Sequence, residues 1–334
     1  MQSVIMNLKW VLIYWVTWLF AALVFICPAD AESLVIQTTA GPVPANQTGL
    51  ILPHEHIFTD LRGPTTVGYG QADIEDVVRV MKPLLDSAKA KGVDVFVECT
   101  SIGVGRNVPA LVRLTQETGL RIVVPTGVYD RANFIPPEYQ SMSETELKDW
   151  MIREITEGID NTGVKAGFIK LACDDTPLTE YQQRMLRAAA QASLRTGVAI
   201  AIHTTSGARA TEQAGLLEAE GLPLNRFIWV HAQSEPDLNV HKQLAARGVY
   251  IEYDSIRDNP ANNQQYIQNI NELVAAGCGE RILLSQDSGW YQPGSTNGGT
   301  QTPYTYLVDY FIPAFRAAGA NDARPGVLPG APAG

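Results

Sequence analysis

The sequence predicts an α/β protein, a (β/α)8 TIM barrel preceded by a short hairpin, on three observations. Eight strand-like apolar runs recur along the chain, segments with helical spacing separate them, and the side chains capable of chemistry fall at the C-terminal ends of the runs. Leu34 to Gln37 with the turn at Gly41-Pro42 reads as the hairpin. The runs are Leu50 to His54, Val93 to Cys99, Arg121 to Thr126, Gly167 to Ala172, Val198 to His203, Phe227 to His231, Val249 to Asp254 and Ile282 to Asp287. Helical spacing is clearest in Ile74-Val77-Val78-Met81-Leu84-Leu85 and in Leu147-Met151-Ile152-Ile155-Ile159. Strands alternating with helices pair in parallel through right-handed crossovers. Continuous runs such as Val93-Asp94-Val95-Phe96-Val97 suit strands covered on both faces. A doubly wound open sheet is the other architecture, but no Gly-x-Gly-x-x-Gly follows the first run. Tyr304 to Ala318 supplies the last helix. Asn321 to Gly334, rich in Pro, Gly and Ala, reads as a disordered tail.

Composition fits one such domain. The chain has 334 residues, 46% hydrophobic and 18% charged, enough apolar material for a large core over residues 32–320. A net charge of -10 without a basic run argues against nucleic acid as a partner, because phosphate backbones are gripped by clustered Lys and Arg. Residues 1–31 stand apart. Lys9 precedes the apolar stretch Trp10 to Ile26, broken only by Thr17, and Ala29-Asp30-Ala31 follows, which reads as a secretory signal with its cleavage site. The stretch is close to the roughly 18 residues that span a bilayer, so an uncleaved anchor is the alternative. Either way the body is expected to be exported, periplasmic or secreted. Bulky Ile26 before Cys27 argues against lipid attachment there. Cys99, Cys173 and Cys278 are odd in number and widely spaced, so they are expected as buried thiols without disulfides.

Four of the five histidines occupy strand ends. His54 and His56 close the first run, and side chains at i and i+2 of an extended chain point the same way, so the two could hold one cation. Alone, such a pair is equally compatible with two ordinary polar residues. His203, His231 and Asp287 end later runs, and Lys170 lies within Phe168-Ile169-Lys170-Leu171. A lysine among apolar neighbours is costly when charged. It either snorkels or pairs with an acid, or its neutral amine takes up carbon dioxide and offers two carbamate oxygens that bridge metals. Four imidazoles, one carboxylate and such a carbamate would ligate a pair of divalent cations, zinc first, with manganese, cobalt or iron as alternatives. His241, within a helical segment, is expected at the surface.

At Leu-Pro-His54-Glu-His56, Gly-Phe-Ile-Lys170, Ile-His203-Thr, Val-His231-Ala and Ser-Gln-Asp287 the chain resembles the phosphotriesterase family of the amidohydrolase superfamily, which includes phosphotriesterase-like lactonases. The resemblance runs from about Leu34 to Gly319. It implies a binuclear site ligated by His54, His56, Lys170 as N6-carboxylysine, His203, His231 and Asp287. It also implies hydrolysis by a metal-bridging hydroxide with Asp287 taking up the proton. Tyr129, in Thr126-Gly127-Val128-Tyr129, stands where lactonase-like members carry a tyrosine near the metals. Its other reading is a barrel-mouth residue with a satisfied hydroxyl. Trp290 and Tyr291, in the loop after Asp287, are expected to wall the substrate. The expected substrate is a small molecule, a lactone or carboxylic ester first and a phosphotriester second. An amide or cyclic imide, or a barrel that binds ligand without turnover, are the alternatives. No membrane partner is expected once the N-terminal segment is removed, and a homodimer is left open. Two departures from the family stand out. Ala232-Gln233-Ser234 and Asp254-Ser255 replace the outer proton relay, and the short stretch after Gly319 predicts a loosely sealed last turn.

Overall fold

The computed structural model describes residues 34–131 and 133–319, so the expected signal segment at 1–31 and the tail at 321–334 lie outside the described residues. The hairpin pairs β1 (Val35–Thr38) with β2 (Gly41–Pro44) antiparallel. Its Thr39 amide donates to the Ile122 carbonyl, which pins it to the barrel wall.

The barrel then builds in chain order. Strand β3 (Leu50–Phe58) is followed by α1 (Ile74–Ala90), β4 (Val93–Glu98) and α2 (Val108–Thr118). The third barrel strand is interrupted into β5 (Arg121–Val123) and β6 (Pro125–Thr126), and α3 (Pro137–Gln140) and α4 (Glu144–Thr156) follow. Next come β7 (Phe168–Ala172), α5 (Glu180–Thr196), β8 (Ile200–His203), α6 (Gly207–Ala219), β9 (Phe227–Val230), α7 (Leu238–Ala246), β10 (Tyr250–Tyr253) and α8 (Pro260–Ala275). The eighth barrel strand is again split, into β11 (Ile282–Leu284) and β12 (Gly289–Tyr291), before a π-helical turn at Leu307–Phe311 and α9 (Ile312–Ala317). All the barrel pairings are parallel, in two runs, β6 to β11 and β5-β4-β3-β12. Every one of the eight expected apolar runs carries a strand. The helix starts are encoded locally, as in the capping boxes Ser143 with Glu146 and Thr179 with Gln182.

The seal between the last strand and the first is firmer than the sequence suggests. Gly289 pairs with His56 and Tyr291 with Phe58, while the Asp287 amide donates to the His54 carbonyl. Gly289 is obligatory here: its φ is 100°, and a Cβ would lie 1.8 Å from the His56 carbonyl oxygen and 2.2 Å from the Tyr304 hydroxyl.

Two apolar layers explain the continuous runs. Ile51, Val95, Val97, Phe168, Ala201, Ile228 and Leu283 fill the barrel interior. Their neighbours Leu52, Phe96, Ile169, Ile202, Trp229 and Leu284 pack outward beneath the helices. Cys99, Cys173 and Cys278 are free and buried. His241 corrects the surface expectation: it is fully buried on α7, its ring 5.0 Å from that of Trp229, with Nε2 bonded to the Glu235 carbonyl.

Candidate metal centre and active site

Strand phase decides which side chains reach the open end of the barrel. In β3, Ile51 faces inward, so strict alternation would send His54 and His56 outward. A register shift between Leu52 and Glu55 resets the phase and turns both imidazoles into the site. In β7 and β8 the alternation alone suffices, Phe168 and Lys170 facing in, as do Ala201 and His203. His231 and Asp287 follow their strands in the left-handed region, with φ of 64° and 50°. Neither is glycine, so both positions are strained and need clamps. The Asp254 carboxylate accepts from the His231 amide at 2.9 Å. Arg257 donates from Nε to the Gln286 carbonyl at 2.9 Å and from Nη2 to that of Asp287.

Two groups of side chains result. In the first, Asp287 Oδ1 lies 3.1 Å from His56 Nε2 and 3.8 Å from His54 Nε2. It is buried without an aligned hydrogen bond to any group. His56 Nδ1 is 2.7 Å from the Thr100 hydroxyl, and His54 Nδ1 is 3.2 Å from both Glu252 and Asp254. Burial, together with His54 and Lys170, lowers the His56 pKa to about 4 against the pull of Asp287, so its imidazole is neutral. Burial opposes ionisation of Asp287, but His56 and His54 override it and hold its carboxyl below the usual range. Burial opposes a charge on His54, but Cys99 and Asp254 override it and hold its pKa well above the ordinary value, so its imidazolium faces Asp287. A neutral His56 beside a buried carboxylate oxygen that has no aligned hydrogen bond is a donor set that suits a cation.

In the second group, His203 Nδ1 is 2.7 Å from His231 Nε2, and His231 Nδ1 is 2.6 Å from Asp254 Oδ1. Burial, reinforced by His231, Lys170 and Arg131, drives the His203 pKa well below its ordinary value. Lys170 lies between the groups' strands, 2% exposed, its amine 3.4 Å from the Leu171 carbonyl and 5.9 Å from the centre of the Tyr129 ring, with no ion-pair partner among the described residues. Gly127, with φ of 102°, gives its strand room: a Cβ there would meet the Lys170 carbonyl oxygen at 2.4 Å.

The substrate-side residues divide. Tyr129 is at the site, its hydroxyl 3.3 Å from His203 Nδ1. Burial raises its pKa, so it stays a hydrogen-bond donor. Trp290 sets its ring 4.4 Å from that of His56 and donates its indole N–H to the Asp287 carbonyl. Tyr291 faces away, buried against Phe58, with its hydroxyl bonded to Asp76 of α1. The loop expected after Asp287 is strand β12 at this point, and residues i and i+1 of a strand point to opposite faces. Sequence reasoning missed Arg131 and Arg257 at the mouth and the buried acids Glu98 and Glu252. Only Asp254, seen as a relay substitute, had been singled out.

Among the described residues, two groups have the geometry of a cation site, His54 with His56 and Asp287, and His54 with His231 and Asp254. The profile described as Phosphotriesterase family matches residues 34–328. A Phosphotriesterase homology protein of Mycobacterium tuberculosis is 32% identical over 86% of this chain and 93% of its own length. An N-acetyltaurine hydrolase of Dictyostelium discoideum is 30% identical over 71% of this chain and 67% of its own. Among solved structures, a triple mutant of an organophosphorus hydrolase from Deinococcus radiodurans superposes with a TM-score of 0.79 at 29% identity, covering 88% of this chain and 95% of that one.

Proposed function

The chain belongs to the phosphotriesterase family, and from that premise we propose that it is a binuclear hydrolase of an ester-type bond, a lactone or carboxylic ester before a phosphotriester. The observation that carries this reading is the buried Asp287 Oδ1, which has no aligned hydrogen bond although imidazole nitrogens of His56 and His54 lie 3.1 and 3.8 Å from it. His54, His56 and Asp287 would hold one divalent ion, zinc first, and His203 and His231 the other. Lys170, as N6-carboxylysine, would give an oxygen to each. Its buried amine, with no ion-pair partner among the described residues, supports that role. When bound, the ion pair supplies an acidified water and a Lewis acid for the substrate oxygen.

The protein's own groups do the rest. Asp287, 13% exposed, takes up the proton and releases it to solvent. Asp254 is occupied by His231, by His54 and by the Gln233 amide, so it orients imidazoles and does not extend a relay. Tyr129 donates to the carbonyl or leaving oxygen. Trp290 offers an apolar wall for the acyl chain. The N-terminal signal motif supports action in the periplasm or outside the cell.

A second reading, amide hydrolysis, is favoured by the name of the N-acetyltaurine hydrolase relative. Rates on a γ-lactone, an aryl ester, paraoxon and N-acetyltaurine, with and without added zinc or manganese, separate the readings. Metal-dependent turnover led by the lactone or aryl ester is expected. Leading turnover of N-acetyltaurine would replace the ester reading, and no turnover of any of them would end both.

A further inference from the structure

Strand β6 stops at Thr126, short of Tyr129, so regular pairing does not hold the phenol at the site. On the β4 side the main chain compensates. Ile102 donates to the Gly127 carbonyl at 3.2 Å, and the Tyr129 amide donates to the Ile102 carbonyl at 2.7 Å. On the β7 side the pairing ends at Thr126 with Ile169. The Ile169 and Cys173 amides both turn toward the β8 side, to the carbonyls of Ala199 and His203. The Ala172 amide, one residue out of that phase, faces the third strand instead. Its partner there is the Asp130 side chain, whose Oδ1 accepts at 2.7 Å. A side chain supplies the rung that the backbone has left.

Asp130 is itself held in place. It is 1% exposed, and its carbonyl accepts from Gln182 Nε2 at 3.0 Å. The other end of that amide, Oε1, accepts from the Thr179 amide in the capping box that starts α5, so Gln182 is tied at both ends. Burial pushes the Asp130 carboxyl up to about 8, which makes it an uncharged acceptor at neutral pH. The residues on either side of it both reach His203: the Tyr129 hydroxyl is 3.3 Å from Nδ1, and Arg131 Nη1 is 3.3 Å from Nε2.

We propose that Asp130 is a positioning residue that sets substrate preference: its side chain fastens the Tyr129 segment to the end of β7 and so fixes where the phenol donates. The proposal rests on the hydrolase reading above and on the role given there to Tyr129. Asp130 touches no reacting atom and acts through the phenol. A hydrogen bond weakens steeply with distance and angle, so a small shift of the segment is enough to lose it.

The test compares the full-length wild type with Asp130→Ala, Asp130→Asn, Tyr129→Phe and the Asp130→Ala, Tyr129→Phe double variant. Asn keeps an uncharged Oδ1 acceptor and should leave rates on a γ-lactone and on paraoxon within about twofold of the wild type. Asp130→Ala should lower kcat on the lactone about tenfold, the effect of one hydrogen bond, and paraoxon turnover much less. In the Tyr129→Phe background it should add no more than about a twofold loss, because the group through which it acts is already gone. Equal losses on both substrates, a full tenfold loss in the Tyr129→Phe background, or a loss that Asn does not rescue would overturn the proposal. Crystal structures give a readout that needs no turnover. In Asp130→Ala the Tyr129 hydroxyl should lie beyond hydrogen-bond distance of His203, and in Asp130→Asn within it. An unmoved phenol in Asp130→Ala would also overturn the proposal. If Asp130→Ala does not fold, Asp130→Ser, whose hydroxyl is too short to reach the Ala172 amide, takes its place. A wild type that hydrolyses no lactone, ester or amide sinks the hydrolase reading, while the crystal structures still decide what holds Tyr129.

Discussion

The two halves of the site are built from the same side chains but are in opposite states. Around His54, His56 and Asp287, a buried carboxylate oxygen has no aligned hydrogen bond although two imidazoles surround it. Around His203 and His231, every lone pair already has a donor, and the hydrogen-bond chain ends at Arg131 on one side and Asp254 on the other. The first half is preorganised for a cation and gains by accepting one. The second must give up hydrogen bonds and move a proton before it can ligate. The difference implies unequal affinities for two chemically similar ions, the tighter one at the seam between the first and last strands. Asp254 links the halves, since its two oxygens reach imidazoles of both groups.

Removing the proposed bridging group, Lys170, should break the comparison most severely. Lys170→Ala should lose both ions and lower hydrolysis by at least about a thousandfold, as expected when ion-assisted chemistry is removed, and a short added carboxylic acid should restore part of it. Metal analysis and rate measurements check this, and retention of two ions would contradict it. Next in size, Gly289→Ala should open the seam beneath the first half. The strained φ and the clash with the His56 carbonyl together should cost about 2–6 kcal/mol in urea unfolding.

Asp254→Asn should weaken both ions about 10- to 100-fold, as loss of a carboxylate behind a ligating histidine does. Equal weakening of both ions would support the shared-carboxylate role, whereas an effect on one ion alone would confine Asp254 to that half. Tyr129→Phe should lower kcat on a lactone about tenfold while changing paraoxon turnover much less, in line with the loss of one hydrogen bond. Equal effects on both would remove its special role.

The smallest effect is on the metal-free protein's stability. Burial pushes Glu98 and Asp130 up to about 8, so both are neutral in the fold at neutral pH and ionised when unfolded. The folded state then holds more protons than the unfolded one, and stability falls as pH rises from above the unfolded carboxyl range through about 8. His56 and His203, with lowered values, work in the opposite direction but only below the ordinary histidine range. The melting temperature should therefore drop by a few degrees between about pH 6.5 and 8.5. A flat or rising profile there would mean that these carboxyls are ionised in the fold.

Much of this was legible in residue order. Eight apolar runs marked eight strands because parallel strands are buried on both faces, and chemistry at their C-terminal ends marked the open end of the barrel. What escaped was side-chain direction outside regular strand. Tyr291 could not be separated from Trp290 until Gly289–Tyr291 proved to be a strand, and a three-residue run is too short to show a period. Arg131 and Arg257 sit in loops past the strand ends, where alternation no longer assigns a face. His241 was within reach, since His241, Leu244 and Ala245 recur at helical spacing and all three are buried on α7. The register shift before His54 left no mark in composition, although it turns the first two histidines into the site.

Zinc titration of the metal-free protein by calorimetry tests the central claim most directly. The account predicts two ions per chain bound in two resolved steps, with His56→Ala abolishing the tighter step and His203→Ala the weaker. Binding of a single ion, or two equal steps indifferent to those substitutions, would contradict it.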